Sequence, residues 1–245
     1  MLEKPAMKRL SQFCISALRK MIPAGIRRLI RESRSRSAIW TEAKAITYKW
    51  YYQRYHKSRW EEEYQANRWE YMKDLKELGR YSIIAGYIRY LKPAGSILDL
   101  GCGEGILLEH LRPESYSGYV GVDMSQEAIQ KAQDRHDGKT TFISANITTF
   151  VPDRKYDAIV FNEVLYYLDD PLLVMKRYEN FLKPNGVFIV GMYATDETME
   201  NWRALEIQYD FLDETRSYNK KSGHSWSCRV WTPMVTGHQD SKVLN

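Results

Sequence analysis

Ile97-Leu98-Asp99-Leu100-Gly101-Cys102-Gly103-Glu104-Gly105 places an apolar run, an acid and three alternating glycines within nine residues. A short apolar run bounded by glycine reads as a buried strand, and a glycine-rich turn after it lets the backbone approach a ligand closely. The spacing is G-x-G-x-G. A dinucleotide fingerprint, G-x-G-x-x-G, would need glycine at position 106, where Ile106 stands, so a pyrophosphate-binding turn is disfavoured. Asp123 follows Gly103 by 20 residues and ends the next apolar run, a position from which one carboxylate can accept hydrogen bonds from both hydroxyls of a ribose.

Outward from this turn, short apolar runs alternate with helical patterns. Ser96–Leu100, Tyr119–Asp123, Thr141–Ala145, Ala158–Asn162 and Val187–Tyr193 are predicted strands, and the alternation implies an α/β fold with a mostly parallel sheet and helices on both faces. Ser125 is placed to cap one intervening helix, and Asp170 followed by Pro171 to start another. Pro184-Asn185-Gly186 is expected to stop that helix. A helix over Glu197–Tyr209 is followed by Phe211–Tyr218 and His224–Trp231, which flank a short polar loop and read as an antiparallel hairpin added to the sheet. Ahead of the turn, Ala38–Gln65 and Trp69–Leu91 read as two aromatic-rich helices ended by Pro93 and Gly95. The expected organisation is a basic arm over 1–37, a helical lid over 38–94, the core over 95–233 and a tail over 234–245.

Of the 245 residues, 44% are hydrophobic, enough for one α/β domain with an extension. Cys14, Cys102 and Cys228 have no metal or disulfide spacing, which suits a reducing, cytoplasmic setting. No metal-ligand cluster is evident, and no metal is expected. The net charge of +5 hides an asymmetry, with 15 Lys/Arg against 3 Asp/Glu in residues 1–60 and 21 against 28 in the rest. In residues 7–22, Leu10, Phe13, Ala17, Leu18, Met21 and Ile22 recur at helical spacing among Lys8, Arg9, Arg19 and Lys20. Such an arm suits peripheral contact with anionic membrane, a phosphate-bearing partner or plain solvation, and an organelle transit peptide shares its Arg/Ser bias. No run of about 18 apolar residues is present, so no transmembrane segment is expected.

The segments Ile97–Gly105, Gly121-Val122-Asp123-Met124-Ser125 and Tyr156–Leu165 together resemble the class I, Rossmann-like S-adenosylmethionine-dependent methyltransferases, over about Arg80 to Pro233. Leu182-Lys183-Pro184-Asn185-Gly186 is similar to that family's usual ending, with Val187 in place of its second glycine. The resemblance implies a seven-stranded sheet in the order 3-2-1-4-5-7-6. It further implies that Asp99, Gly101, Cys102, Gly103 and Gly105 hold the amino-acid end of S-adenosylmethionine, Asp123 its ribose and Met124 its adenine. Asn146 stands where an Asp is usual; its carbonyl and the Ile147 N–H would meet the adenine edge, and Asn162 would lie beside the donor.

In relatives the segment Asn162-Glu163-Val164-Leu165-Tyr166-Tyr167-Leu168 faces the acceptor. Glu163 and Tyr167, four apart, would share a face if helical and are the first candidates for orienting or deprotonating it. Several small-molecule O-methyltransferases carry His where Tyr167 stands, so a His base at that position is in doubt. His224 is a further catalytic candidate. With Gly223-His224-Ser225-Trp226-Ser227, the segment resembles bacterial methyltransferases of sugars or glycan precursors, including nodulation-type N-methyltransferases. A small-molecule, sugar or glycan acceptor is therefore expected, methylated on O or N. Alternatives are an RNA methyltransferase anchored by the basic arm, for which no RNA-binding module or N-P-P-Y tetrad speaks, and a non-catalytic binding protein that keeps the fold.

Overall fold

A computed structural model describes residues 56–234 of the protein. The expected arm over 1–37, most of the first lid helix and the tail beyond residue 234 lie outside the described residues. The seven strands are β1 (Gly95–Leu100), β2 (Tyr116–Asp123), β3 (Thr140–Ser144), β4 (Tyr156–Asn162), β5 (Leu182–Tyr193), β6 (Tyr209–Asn219) and β7 (His224–Pro233). They form one sheet in the order β3-β2-β1-β4-β5-β7-β6, as the family resemblance implied. β1 to β5 run parallel, and β7 lies antiparallel between β5 and β6.

β1 is buried along its whole length, which is why it reads as a continuous apolar run interrupted only by Ser96 and Asp99. Alternation along the strand sends Ile97 and Asp99 to one face and Leu98 and Leu100 to the other. On the first face Ile97 packs with Tyr81, Ile84 and Ile88 of helix α2 (Leu78–Leu91), with Tyr119 of β2 and with Val160 of β4. On the second, Leu98, Leu100 and Phe161 pack with Met175 and Tyr178 of α5 (Pro171–Glu179) and with Trp202 of α6 (Asp196–Gln208). Asp99 is thus a carboxyl on a hydrophobic face.

The remaining helices are α1 (His56–Gln65), α3 (Ile106–Glu109) and α4 (Gln126–Ala132). Ser125 caps α4 by accepting from Ala128 N, and Asp170 caps α5 by accepting from Leu173 N with Pro171 behind it, both as expected. Two expectations need correction. The second lid helix is not continuous over Trp69–Leu91: a 3-10 turn at Glu70–Lys73 and an extended Asp74 precede α2, and Asn67 sits at φ 52. Short-range turn bonds, such as Met72 N to Trp69 O, satisfy that backbone instead. Nor does Pro184-Asn185-Gly186 stop a helix, since α5 ends by Asn180 and these residues form an excursion within β5 with Asn185 at φ 63.

Candidate active site

The C-terminal ends of β1, β2, β4 and β5 converge on the glycine loop. Gly101 N and Cys102 N both donate to Val122 O, at 2.8 and 3.1 Å, which ties the loop to β2. Gly101 has φ 79, and a Cβ there would lie 2.6 Å from Val164 Cγ2, so only glycine lets the segment after β4 press against the loop. Gly103, at φ 54, is overlain in the same way by the Tyr64 hydroxyl of α1, 2.7 Å from where a Cβ would stand.

Asp99 is 2% exposed. Its Oδ2 accepts from the Tyr119 hydroxyl at 2.5 Å, whereas its buried Oδ1 has no hydrogen-bond partner among the described residues. Burial pushes its carboxyl up to about 7, against the Tyr119 hydrogen bond that lowers it. The buried Cys102 thiol is pushed well up by burial and by the neighbouring carboxyls of Asp123 and Asp99, so it serves as packing rather than as a nucleophile.

At the end of β2, Asp123 accepts from Gly103 N through Oδ2 and from Ser125 N through Oδ1, both at 2.9 Å. Burial raises its carboxyl, the amides of Ser125, Gly103 and Met124 pull it down, and Glu61 adds repulsion. Glu61 comes from α1 and lays its carboxylate on the start of α4, accepting from Ser125 Oγ, Gln126 N and Glu127 N at 2.9, 2.7 and 3.0 Å. Lys131 of α4 donates to Tyr64 O at 2.7 Å, and the buried Glu104 carboxylate sits between Lys73 at 2.8 Å and Lys131 at 3.4 Å. α1 and the turn behind it are thereby latched over the loop.

Met124 is half-buried beyond Asp123. Asn146 Oδ1 accepts from the N–H and the hydroxyl of Thr148, both at 2.9 Å, so the side chain is engaged in its own turn. Ile147 is buried, and its carbonyl accepts from the Tyr178 hydroxyl at 2.7 Å.

The segment after β4 departs from the expected helical face. Glu163 has φ 59, in the left-handed region, and a 3-10 turn over Leu165–Tyr167 follows, so Glu163 and Tyr167 do not stack one above the other. Glu163 Oε2 instead accepts from the Tyr166 hydroxyl at 2.9 Å, while its buried Oε1 has no hydrogen-bond partner among the described residues. Burial raises the Glu163 carboxyl; the Arg80 charge, the Tyr166 hydroxyl and the Tyr193 amide counter it. Tyr167 meets Tyr166 at 4.5 Å between ring centroids and packs its ring edge-on to Trp60 at 5.0 Å. His224, at the start of β7, packs edge-on to Tyr193 and Trp226 at 5.5 and 5.6 Å, at the same end of the sheet.

Four residues of this site were not singled out from sequence. Arg80 is 1% exposed and spends its guanidinium on Glu77 at 3.2 Å, Asn162 Oδ1 at 3.0 Å and the Tyr81 hydroxyl at 3.2 Å. Glu61, Tyr64 and Tyr119 complete the set. Glu61 and Tyr64 are three apart on a helix and share a face, a signal that was available, but nothing local said which part of the core that face would cover.

A family model described as a methyltransferase domain matches residues 55–229. Among relatives, the malonyl-[acyl-carrier protein] O-methyltransferase of Halalkalibacterium halodurans is 28% identical over 141 residues, 54% of this chain and 52% of that protein. The trans-aconitate 2-methyltransferase of Afipia carboxidovorans is 30% identical over 149 residues, 60% of this chain and 56% of that protein. The chain thus spans about half the length of the curated relatives it matches. In fold it is similar to the N-methyltransferase NodS of Bradyrhizobium japonicum in complex with S-adenosyl-L-homocysteine, with TM-score 0.58, 20% identity, and coverage of 67% of this chain and 91% of that one. With family match, strand order and glycine loop in agreement, the chain belongs to the class I S-adenosylmethionine-dependent methyltransferase family.

Proposed function

We propose that the protein transfers a methyl group from S-adenosylmethionine to a small-molecule acceptor of sugar or glycan type, on oxygen or nitrogen. The observation that carries this reading is the pair of carboxyls, the buried Asp99 and the half-buried Asp123, at adjacent strand ends on either side of a glycine loop. The donor fits that pair. Asp99 Oδ1 is buried without a hydrogen-bond partner among the described residues and suits the ligand's ammonium group. Each Asp123 oxygen takes one backbone N–H and keeps a lone pair for a ribose hydroxyl. Gly101, Cys102, Gly103 and Gly105 are assigned to the amino-acid end and Met124, Asn146 and Ile147 to the adenine, with Asn162 at the end of β4 beside the donor.

When bound, S-adenosylmethionine supplies an electrophilic methyl group on a sulfonium. The chain's own work is then alignment of a nucleophile at about 3 Å, with exclusion of water. Glu163 Oε1 is the acceptor-side group suited to take the nucleophile's proton: Tyr166 holds the other oxygen, and the Arg80 charge opposes the rise that burial imposes on the carboxyl. Tyr167 and His224 are assigned to positioning. The rings of Trp60, Trp69, Tyr71, Tyr166 and Tyr167 adjoin one another and offer flat faces for a sugar ring, which supports the glycan-type acceptor. The relatives' own names include malonyl-[acyl-carrier protein], ubiquinone-biosynthesis and trans-aconitate methylation, so the family alone does not choose the acceptor.

Incubating the protein and methyl-labelled donor with cell extract, followed by untargeted mass spectrometry, tests the reading. Label on a saccharide or similar small molecule supports it. Label on RNA overturns the acceptor, and donor binding without any transfer overturns the enzyme. We also propose that residues 1–37 attach the protein peripherally to anionic membrane, the charge and apolar spacing of that arm being the support. Deleting 1–37 should sharply reduce partition onto phosphatidylserine-containing vesicles. Equal partition of the truncated protein would end that idea.

A further inference from the structure

Tyr119 lies in the interior of β2, opposite Ile97 of β1, and is 0% exposed. Its ring packs edge-on to Phe142 and Tyr116 at 5.9 and 6.4 Å, which explains an aromatic residue there but not a hydroxyl. A phenol in an apolar wall needs a partner for its O–H, and this one reaches across to Asp99 Oδ2. The hydroxyl fixes one carboxylate oxygen and leaves the other, Oδ1, buried and without a hydrogen-bond partner among the described residues. A buried acceptor left open in this way carries a desolvation cost that a ligand cation would offset.

We infer that Tyr119 is a positioning residue for the methyl donor: through its hydrogen bond it orients Asp99 so that the second carboxylate oxygen receives the donor's ammonium group. This rests on the proposed donor site and adds to it a residue outside the glycine loop and the strand-end acids. Among the described residues, the titratable groups facing Asp99 are few. They are Tyr119 and Asp123 from β2, Tyr81 from α2 and the Cys102 thiol of the adjoining loop. Of these only Tyr119 donates a hydrogen bond to the Asp99 side chain. The others are an acid, which opposes ionisation, and two groups that burial keeps neutral. The Tyr119 hydroxyl therefore also favours the ionised form of Asp99, the form that attracts an ammonium.

The test is Tyr119→Phe in the full chain, which keeps the ring and removes one oxygen. Two ligands are titrated by calorimetry between pH 6 and 9: S-adenosylhomocysteine, which carries the amino-acid end, and 5′-methylthioadenosine, which keeps the nucleoside and lacks that end. Expected is an about 10-fold or greater loss of S-adenosylhomocysteine affinity at neutral pH, a shift to higher pH of the point below which affinity falls, and unchanged methylthioadenosine affinity. Equal loss for both ligands would show a merely structural role, and no change in either would show that the hydroxyl does not matter; each overturns the inference. If wild-type protein binds neither ligand, the donor site itself fails, which separates that failure from the failure of Tyr119.

Discussion

Replacing Asp123 by alanine removes the acceptor for two N–H groups and, on the proposed reading, for two ribose hydroxyls at once. The carboxylate has about four lone-pair positions. Gly103 N and Ser125 N use one on each oxygen, so the diol can be added without breaking anything already formed. A hydrogen bond to a charged group is worth about 1.5–3 kcal/mol, but water entering the space left by alanine returns part of that for both hydroxyls. The net loss expected is about 1–3 kcal/mol, or about 5- to 150-fold in Kd. Calorimetric titration with S-adenosylhomocysteine measures it, circular dichroism confirming the fold. Because the effect sits on the ribose, 5′-methylthioadenosine should weaken by the same factor, the opposite of the pattern expected for Tyr119→Phe. Asp123→Asn should be no milder than alanine, since its NH2 must face a backbone N–H. An unchanged Kd for the alanine variant, with an intact fold, would remove Asp123 from the donor site.

Arg80→Met should destabilise the protein by about 3–5 kcal/mol, because it strands Glu77, itself 3% exposed, without its counter-ion. Urea denaturation reads this, and Glu77→Gln added to Arg80→Met should recover part of the loss; no recovery would mean that the guanidinium acts through Asn162 instead. For Asp99 the folded state holds its proton more tightly than the unfolded chain does, its carboxyl lying at about 7 against an ordinary 3.8. Its stabilising contribution is therefore full below about pH 4 and is lost as pH rises through about 7. Asp99→Asn should raise the unfolding free energy of the ligand-free protein at pH 8, by at most about 4 kcal/mol, and weaken S-adenosylhomocysteine binding. A variant less stable than wild type at pH 8 would refute the burial argument.

Much of the candidate site was legible along the chain because the part around the glycine loop is built locally. The acid before G-x-G-x-G, the acid 20 residues beyond Gly103 and the helix caps at Ser125 and Asp170 each follow from short-range stereochemistry, and the structure keeps all of them where expected. The hairpin was legible for the same reason: two alternating runs around Asn219–Gly223 can hardly avoid pairing, and Gly223 supplies the positive φ of 71 that the turn needs.

The arrangement after β4 was not legible, since it depends on residues far apart in sequence. A spacing of four would put Glu163 and Tyr167 on one face if the segment were helical; the pressure of Val164 on Gly101 and the bond from Glu163 N to Gly191 O accompany a left-handed residue and a 3-10 turn instead. Nothing local marks Arg80, and only the packing of α2 on β5, β6 and β7 turns it into a buried clamp on Asn162, 82 residues away. The sequence by itself determined the strand segments, the glycine loop and the two strand-end acids, because side-chain periodicity and glycine dihedrals are local constraints. Which hydroxyl faces Asp99, which helix closes over Gly103 and which oxygen of Glu163 stays open were decided by tertiary packing, where desolvation and shape act between segments that the chain order does not bring together.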